Sequence, residues 1–354
     1  MTMFATSMPK LSKTWTEIDG VICGAQADDS GAIGGGATYR NRIEATEQPI
    51  TTLDELIAGL STAKAGDVLF LDGAAAFDCT TLVAIEKLVL KVPAGVTLAS
   101  DRGEGGSAGA LICSDWFATR PLVRVMGPNV RFSGLRIAGP NPKRCLEHHR
   151  RSFAVEGHDR ENRRGHEYYY KFPVSDGIVT EFSNLTVDNC EVGGWSHAGI
   201  YLLKGDGHHI HHNFIHHNQY NGLGYGISHD QAFSKIERNC FNSNRHSIAG
   251  TGKSGSGYEA CHNVEVGESL SHCFDMHGGR DRRDGTDVAG TAMKVAHNSF
   301  GSSELALMVR GTPDEGTTIS NNWFYHDSVE EAIRAEGGVS FGVNAVGYRL
   351  GIEA

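Results

Sequence analysis

The densest run of chemistry-bearing side chains is His272-Cys-Phe-Asp275-Met-His277. In an extended strand successive side chains alternate, so Asp275 and His277 fall on one face. His229 or His246, brought alongside from a neighbouring segment, would complete a set of imidazole and carboxylate ligands. The metal-ligand candidates are therefore His229, His246, His272, Asp275 and His277, a set that suits divalent Zn, Mn or Fe. Without a metal the same residues make a hydrogen-bonded acid–base group that requires no cofactor. Arg245, Arg310 and Arg334 each offer a bidentate fork for a carboxylate. Beside such a fork His246 or His277 can act as base and Tyr201, Tyr225 or Tyr258 as acid, which is what proton abstraction next to a carboxylate needs. Asp230, Glu259 and Asp275 could instead supply the two carboxylates of glycoside hydrolysis.

These residues are scattered along the chain, so a repeating scaffold has to gather them. From about residue 130 the sequence does repeat: NLTVDNCEV, HHIHHNFI, SKIERNCF, YEACHNVEV, MKVAHNSF and TTISNNWF align. An apolar or small residue recurs at Val187, Ile210, Ile236, Ala260, Val295 and Ile319, at intervals of 23, 26, 24, 35 and 24 residues. Three positions later stand Cys190, Asn213, Asn239, Asn263, Asn298 and Asn322, and two beyond those Val192, Ile215, Phe241, Glu265, Phe300 and Phe324. Such spacing is one coil of a parallel β-helix per repeat. Each strand stacks on its equivalent ~4.8 Å away, and the Asn side chains form a ladder at one corner.

A second strand per coil aligns through HAGIYLL, GYGISHD, RHSIAGT, HCFDMHG, ALMVRGT and EAIRAEG. With Ile200, Ile227, Ile248, Phe274, Val309 and Ile333 inward, the next residues point out. The outer face is then expected to carry Tyr201, Arg245, Asp275, Arg310 and Arg334, with His229, Asp230 and Glu259 as further substrate contacts. A bulge that reversed the parity would expose His229, His246 and His272 instead. The His208–His217 run is read as a coil face, with Ile210 in and His209 and His211 out.

The length suits one large β domain or two ordinary ones, and the repeat makes it one. The chain has 354 residues, 45 of them Gly and 9 Pro, with 40% hydrophobic and 21% charged residues, so it is neither fibrous nor disordered. A net charge of -10 argues against nucleic acid as a partner, and no apolar run approaches the ~20 residues of a membrane helix. Fourteen of the 18 His lie between His197 and His326. The eight Cys form no C-x-x-C pair and read as buried free thiols. Met1–Ser12 shows no signal-like apolar run, which leaves a cytoplasmic protein or a mature secreted form.

Residues 1–50 read as a Gly-rich lead-in, 51–340 as the β-helix and 341–354 as a tail. Thr52 and Glu55 form a capping box for a helix with Leu53, Leu56, Ile57 and Leu60 on one side, expected to cap the solenoid. After Asp72-Gly73 the alternating apolar stretches predict further strands. Asn141–Lys171 interrupts the coils with eight Lys/Arg, five Asp/Glu and Tyr168-Tyr169-Tyr170, a loop suited to an anionic polymer. Gly278–Gly290 is a second loop.

The segment TLDELIAGLSTAKAGDVLFLDG followed by PAGVTLASDRGEG resembles the opening of the pectate-lyase-like superfamily of right-handed parallel β-helices. Tyr225-Gly-Ile-Ser-His-Asp230 is similar to the Y-G-x-D-P-H-[DE] strand of mannuronan C5-epimerases, and Arg245-His246-Ser247 to their R-H-G strand. The first acid of that motif is replaced by Ser228, which leaves Asp230 or Asp275 as the acidic member. The R-x-P-x-x-R of pectate lyases and the clustered Asp of polygalacturonases are absent. The resemblance implies an all-β right-handed parallel β-helix acting on an acidic, uronate-containing polysaccharide. Within it, lyase, hydrolase, epimerase and glycan-binding readings all stand; β-elimination is the leading expectation.

Overall fold

The structure is a computed structural model and describes residues 8–140, 173–220 and 222–349. It is the expected parallel β-helix, and each coil has three faces. Face A holds Val68–Phe70, Thr97–Ala99, Arg131–Ser133 and Thr186–Asp188, then continues through Ile210, Ile236, Gly257–Cys261, Ala292–Ala296 and Gly316–Ser320 to Val339–Phe341. Face C is a nine-stranded sheet from Ala76–Asp78 to Trp323–Phe324. Face B runs from Leu90–Val92 through Asp176–Thr180, His246–Gly250 and Phe274–Met276 to Ile333–Ala335. Faces A and B merge into one 17-stranded sheet because Ala198–His211 and Tyr225–Glu237 bend from B into A without a break.

The repeat of the sequence is the register of the sheets. Val187, Ile210, Ile236, Ala260, Val295 and Ile319 pair in turn and are fully buried. At the A–C corner Asn213, Asn239, Asn263, Asn298 and Asn322 are buried, and each amide nitrogen donates to the next Oδ1 at 2.9–3.0 Å until Asn322 reaches Asn344 at 3.1 Å. The backbone N–H of each rung donates to the same oxygen. Every rung therefore satisfies polar groups that the tight corner would otherwise strand. A second ladder, not expected from the sequence, joins Trp195, Asn218 and Asn244 at the C–B corner.

The capping helix Leu53–Thr62 forms with its Thr52–Glu55 box intact, and Leu56 and Leu60 close the first coil. One expectation is corrected at Thr80–Glu86, where continued strands were read. This segment is a seven-residue helix, started by Asp78 Oδ1 accepting the Thr80 N–H. The described Cys are free, and all but Cys261 are fully buried. Among the described residues no helix is long and apolar enough to cross a membrane. Asn141–Lys171 lies outside the described residues.

The Gly-rich lead-in is a strap. It runs back along the solenoid: Gly24 N–H donates to Asn321 O, Gln26 N–H to His262 Nδ1, Gly34 N–H to Arg238 O, and Gly36 N–H to Asn189 Oδ1. Tyr39 Oη then donates to Asp188, which also accepts from Arg131 and Ser133. Ala25 and Ile33 cover Phe214, Cys240, Val264 and Val266, apolar residues that point outward from face C. A Cβ on Gly35, at φ +71, would lie 2.4 Å from His212 O, so glycine lets the strap lie this close.

Candidate functional site

Face B carries the site, through a break in strand parity that recurs coil after coil. Ile178, Ile200, Ile227, Ile248 and Phe274 pair in register and point inward. The preceding residues, Gly177, Gly199, Gly226, Ser247 and Cys273, are small and turn inward too: a Cβ on Gly199 would touch Val192 and one on Gly226 would touch Ile215. The residues before those therefore turn outward. Asp176, Ala198, Tyr225, His246 and His272 form this column, in which the Tyr225 and His246 rings stack at 5.8 Å and those of His246 and His272 at 4.0 Å. The reversed parity thus holds for His246 and His272, but the exposure expected with it does not: the His246 side chain is fully covered and that of His272 is 11% exposed. The reversal fails for His229, which points inward, with Nδ1 donating to Ala249 O and Nε2 against Ser234 Oγ.

Asp275 is the centre of the cluster. It is fully buried yet fully engaged: Arg310 Nε donates to Oδ1 at 3.1 Å and Nη2 to Oδ2 at 2.9 Å. His277 Nε2 lies 2.8 Å from Oδ2, and His272 Nε2 lies 3.2 Å from Oδ1. Burial raises the Asp275 carboxyl, but His277 first, and then the other imidazoles around it, outweigh this and hold it well below the usual range. His277 must use its Nε2–H to reach a carboxylate oxygen, so its Nδ1 is left as the free lone pair on a ring 27% exposed. His246 is buried and neutral: burial first, then the Arg245 charge, push its imidazole far down.

The other expected residues are distributed as follows. Tyr201 and Arg334 occupy the outward column that also holds Ser228, Ala249, Asp275 and Met308. Tyr201 is three coils from Asp275, ~14 Å at 4.8 Å per coil, too far to share one sugar with His277. Burial, with Asp230 and Asp176 nearby, pushes its phenol up to about 12. Asp230 stands at the B–A corner and accepts from Thr251 Oγ1 at 2.9 Å and Lys253 Nζ at 2.7 Å. Arg245 neighbours His246 and is partly buried.

Three placements are corrected. Tyr258 is fully buried in the core, with its hydroxyl raised by burial, and cannot meet a substrate. Glu259 projects from face A, where Lys294 Nζ binds it at 2.8 Å. Val309 is out of register by two residues: Leu307 pairs with Phe274, so Met308, not Arg310, lies beside Asp275. Arg310 reaches Asp275 from the next position along its own strand end.

Sequence reasoning missed a second ionic group. Asp176 accepts from Arg120 Nε at 3.0 Å and pairs with His197 Nδ1, and the His197 ring packs edge-on against Tyr201 at 4.9 Å. The signal was present: Asp176-Gly-Ile aligns with Ala198-Gly-Ile and Tyr225-Gly-Ile, one coil before the alignment began. Between the two ionic groups Ala198, Tyr225 and Ala249 form an apolar floor with Tyr201 and Leu223.

No protein-family model matches the chain, and no curated protein matches it. Among solved structures it is similar to the polygalacturonase from Erwinia carotovora ssp. carotovora (13% identity, TM-score 0.52, covering 84% of this chain and 79% of that one). It is also similar to the alginate lyase from Paenibacillus sp. str. FPU-7 (15% identity, TM-score 0.49, 84% and 98%) and the Dettilon tailspike protein (14% identity, TM-score 0.42, 83% and 64%). The likeness is one of fold, the parallel β-helix.

Proposed function

We propose that face B acts on an acidic, uronate-containing polysaccharide, and that the reaction is β-elimination initiated at C5. The observation that carries this reading is the Asp275–His277 pair on the outer face. Asp275 fixes the tautomer of His277 and holds the positive charge that forms when Nδ1 takes a proton, the logic of a base oriented by a buried carboxylate. His277 Nδ1 removes the C5 proton, and the electron pair moves to form C4=C5. The C4–O bond breaks, and the leaving oxygen takes the proton back from the imidazolium on the same side. Arg310 is the guanidinium beside the pair, with Arg245 and Arg334 along the face. They stabilise the carboxylate as charge builds on it.

Paired-carboxylate hydrolysis fits less well. Asp275 has both oxygens occupied by Arg310 and His277, and Glu259 is on another face. The polygalacturonase and alginate lyase likenesses are compatible with a polysaccharide substrate. The test is incubation with alginate and with polygalacturonate, reading both unsaturated-sugar absorbance and new reducing ends. Unsaturated products lost in His277→Ala support the reading. Reducing ends without absorbance mean hydrolysis, label incorporated from deuterated water without cleavage means epimerisation, and saturable binding without turnover means a glycan-binding solenoid.

A further inference from the structure

Around Asp275 more lone pairs converge than the protein's own donors satisfy. His246 Nδ1 lies 2.5 Å from the His272 carbonyl oxygen. A carbonyl only accepts, so Nδ1 carries the proton and Nε2 is a bare lone pair. That Nε2 is buried, has no hydrogen-bond partner, and faces Asp275 Oδ2 at 3.8 Å. His272 Nε2 is likewise an unprotonated acceptor, although it has a partner: a guanidinium only donates, and Arg310 Nη2 lies 2.9 Å from it. His246, His272 and Asp275 thus present three acceptors, all within 4.8 Å of one another. Two acceptors facing each other in a buried site repel unless a cation stands between them. Arg310 serves Asp275 and His272 but does not reach His246 Nε2.

We infer that His246 Nε2, His272 Nε2 and Asp275 form a binding site for a divalent transition-metal ion of the zinc class, a role for which Arg310 is the internal competitor. The donor set is two imidazoles and one carboxylate, which suits Zn and its neighbours rather than Ca or Mg. Metal–ligand bonds of about 2.0–2.2 Å in a tetrahedral site place neighbouring ligand atoms roughly 3.3–3.6 Å apart, so the 3.8 Å gap between His246 and Asp275 needs only a few tenths of an ångström of closure. The supporting contacts are those of a metal site. His246 is held by Nδ1–H to a backbone carbonyl, the outer contact that fixes a ligating ring. Arg310, 20% exposed, is the side chain that has to swing outward to admit the ion. Doing so would free its fork for a substrate carboxylate. The site does not depend on the lyase reading, since metal binding is read without any glycan.

The experiment titrates the full-length protein, stripped with chelator, with Zn2+ in a calorimeter and with Co2+ in an absorption spectrometer. The expected result is one equivalent bound and a visible Co2+ band. Affinity should fall at least 10-fold in His272→Gln and rise at least 10-fold in Arg310→Gln, which removes the competitor while keeping every ligand. No saturable binding in either the wild type or Arg310→Gln would overturn the proposal. So would binding unchanged in His272→Gln but lost in a His209→Gln/His211→Gln double variant, which would place the ion on the His208–His217 corner. Loss of polysaccharide turnover with metal binding intact would count against the lyase reading alone.

Discussion

Arg310 stands one coil beyond Asp275 and lies across both of its carboxylate oxygens, at 3.1 and 2.9 Å. The buried acid on face B is thus neutralised from the neighbouring coil, and His277 completes the arrangement from the same strand end. The geometry separates two roles that the sequence left mixed. Asp275 is the anchor, and His277 is the group with an open nitrogen.

His277→Ala is accordingly expected to reduce polysaccharide turnover by about 10²–10⁴-fold, the usual worth of a general base. Its ring is partly exposed, so the melting temperature should move little. Asp275→Ala should lose activity and also destabilise by about 1.5–3 kcal/mol, the worth of hydrogen bonds to a charged group, since the partly exposed Arg310 can turn to water once its counter-charge is gone. Steady-state rates and thermal melts on both variants check this; a His277→Ala enzyme with full activity would remove the ring from the mechanism.

Arg120→Ala, at the second ionic group, should weaken long substrates and spare short ones. Asp176 and His272 are four coils apart in one column, roughly 19 Å at ~4.8 Å per coil. A chain long enough to bridge that distance would lose a contact seen as a several-fold rise in KM, and a disaccharide or trisaccharide would not. Comparing kinetics across defined oligomer lengths measures it, and an effect equal at all lengths would mean that Arg120 acts by folding.

Glu265→Leu should stabilise the protein. Glu265 occupies the inward column of Val192, Ile215, Phe241, Phe300 and Phe324, and neither carboxyl oxygen finds a hydrogen-bond partner. Burial pushes it up to about 8. A carboxyl whose folded value is raised holds its proton where the unfolded chain has released it. Its stability penalty therefore grows from about pH 4.5 up to about pH 8. The gain in melting temperature from Glu265→Leu should be larger at pH 8 than at pH 5; the reverse order would refute the assignment.

Acid should unfold the chain through its histidines before its carboxylates. Burial lowers His229, His217 and His262 to about 4 and His211 to about 3. Each stays neutral in the fold while the unfolded chain takes up protons below about pH 6.5. Stability is then full above pH 6.5 and declines as pH falls towards 4, by up to about 1.4 kcal/mol per pH unit for the fully buried His229. Chemical denaturation between pH 7 and pH 4.5 tests the slope. His229→Gln should flatten it, and an unchanged slope would exclude His229 as a contributor.

Ile236→Ala should cost about 2–5 kcal/mol, since Ile236 is wholly buried between Ile210 and Ala260. A smaller loss in equilibrium unfolding would mean that the column can collapse around the gap.

Much of the fold was legible because its signals are periodic. The Ile236 column and the Asn239 ladder repeat at coil spacing, and only one register explains both. Face B was harder to read. Gly177, Gly199 and Gly226 carry no side chain to declare which way they point, so simple alternation assigns the wrong neighbours to the outside. Leu307 and Val309 have the same parity and similar character, and nothing local chooses between them; the pairing with Phe274 does. Tyr258 and Glu259 were misplaced because they sit on face A, one corner after the site, in a strand that also alternates. The strap left no pattern, because it binds through backbone groups and isolated side chains such as Asp28 and Tyr39.

Solenoids ordinarily gain and lose whole repeats with little penalty, since each coil touches only its neighbours. The strap removes that freedom here. Its residues meet Asn321, His262, Arg238, Asn189 and Asp188 in an order opposite to the chain's own progress up the helix. It works as a ruler laid against the coils, with Gly24 and Tyr39 as fixed marks. Excising the coil between Asn239 and Asn263 would leave every remaining coil able to stack, yet shift the marks beyond the break by one ~4.8 Å spacing. A protein measured in this way is held to one length, and with it to one distance between the Asp176 and Asp275 ends of its outer face.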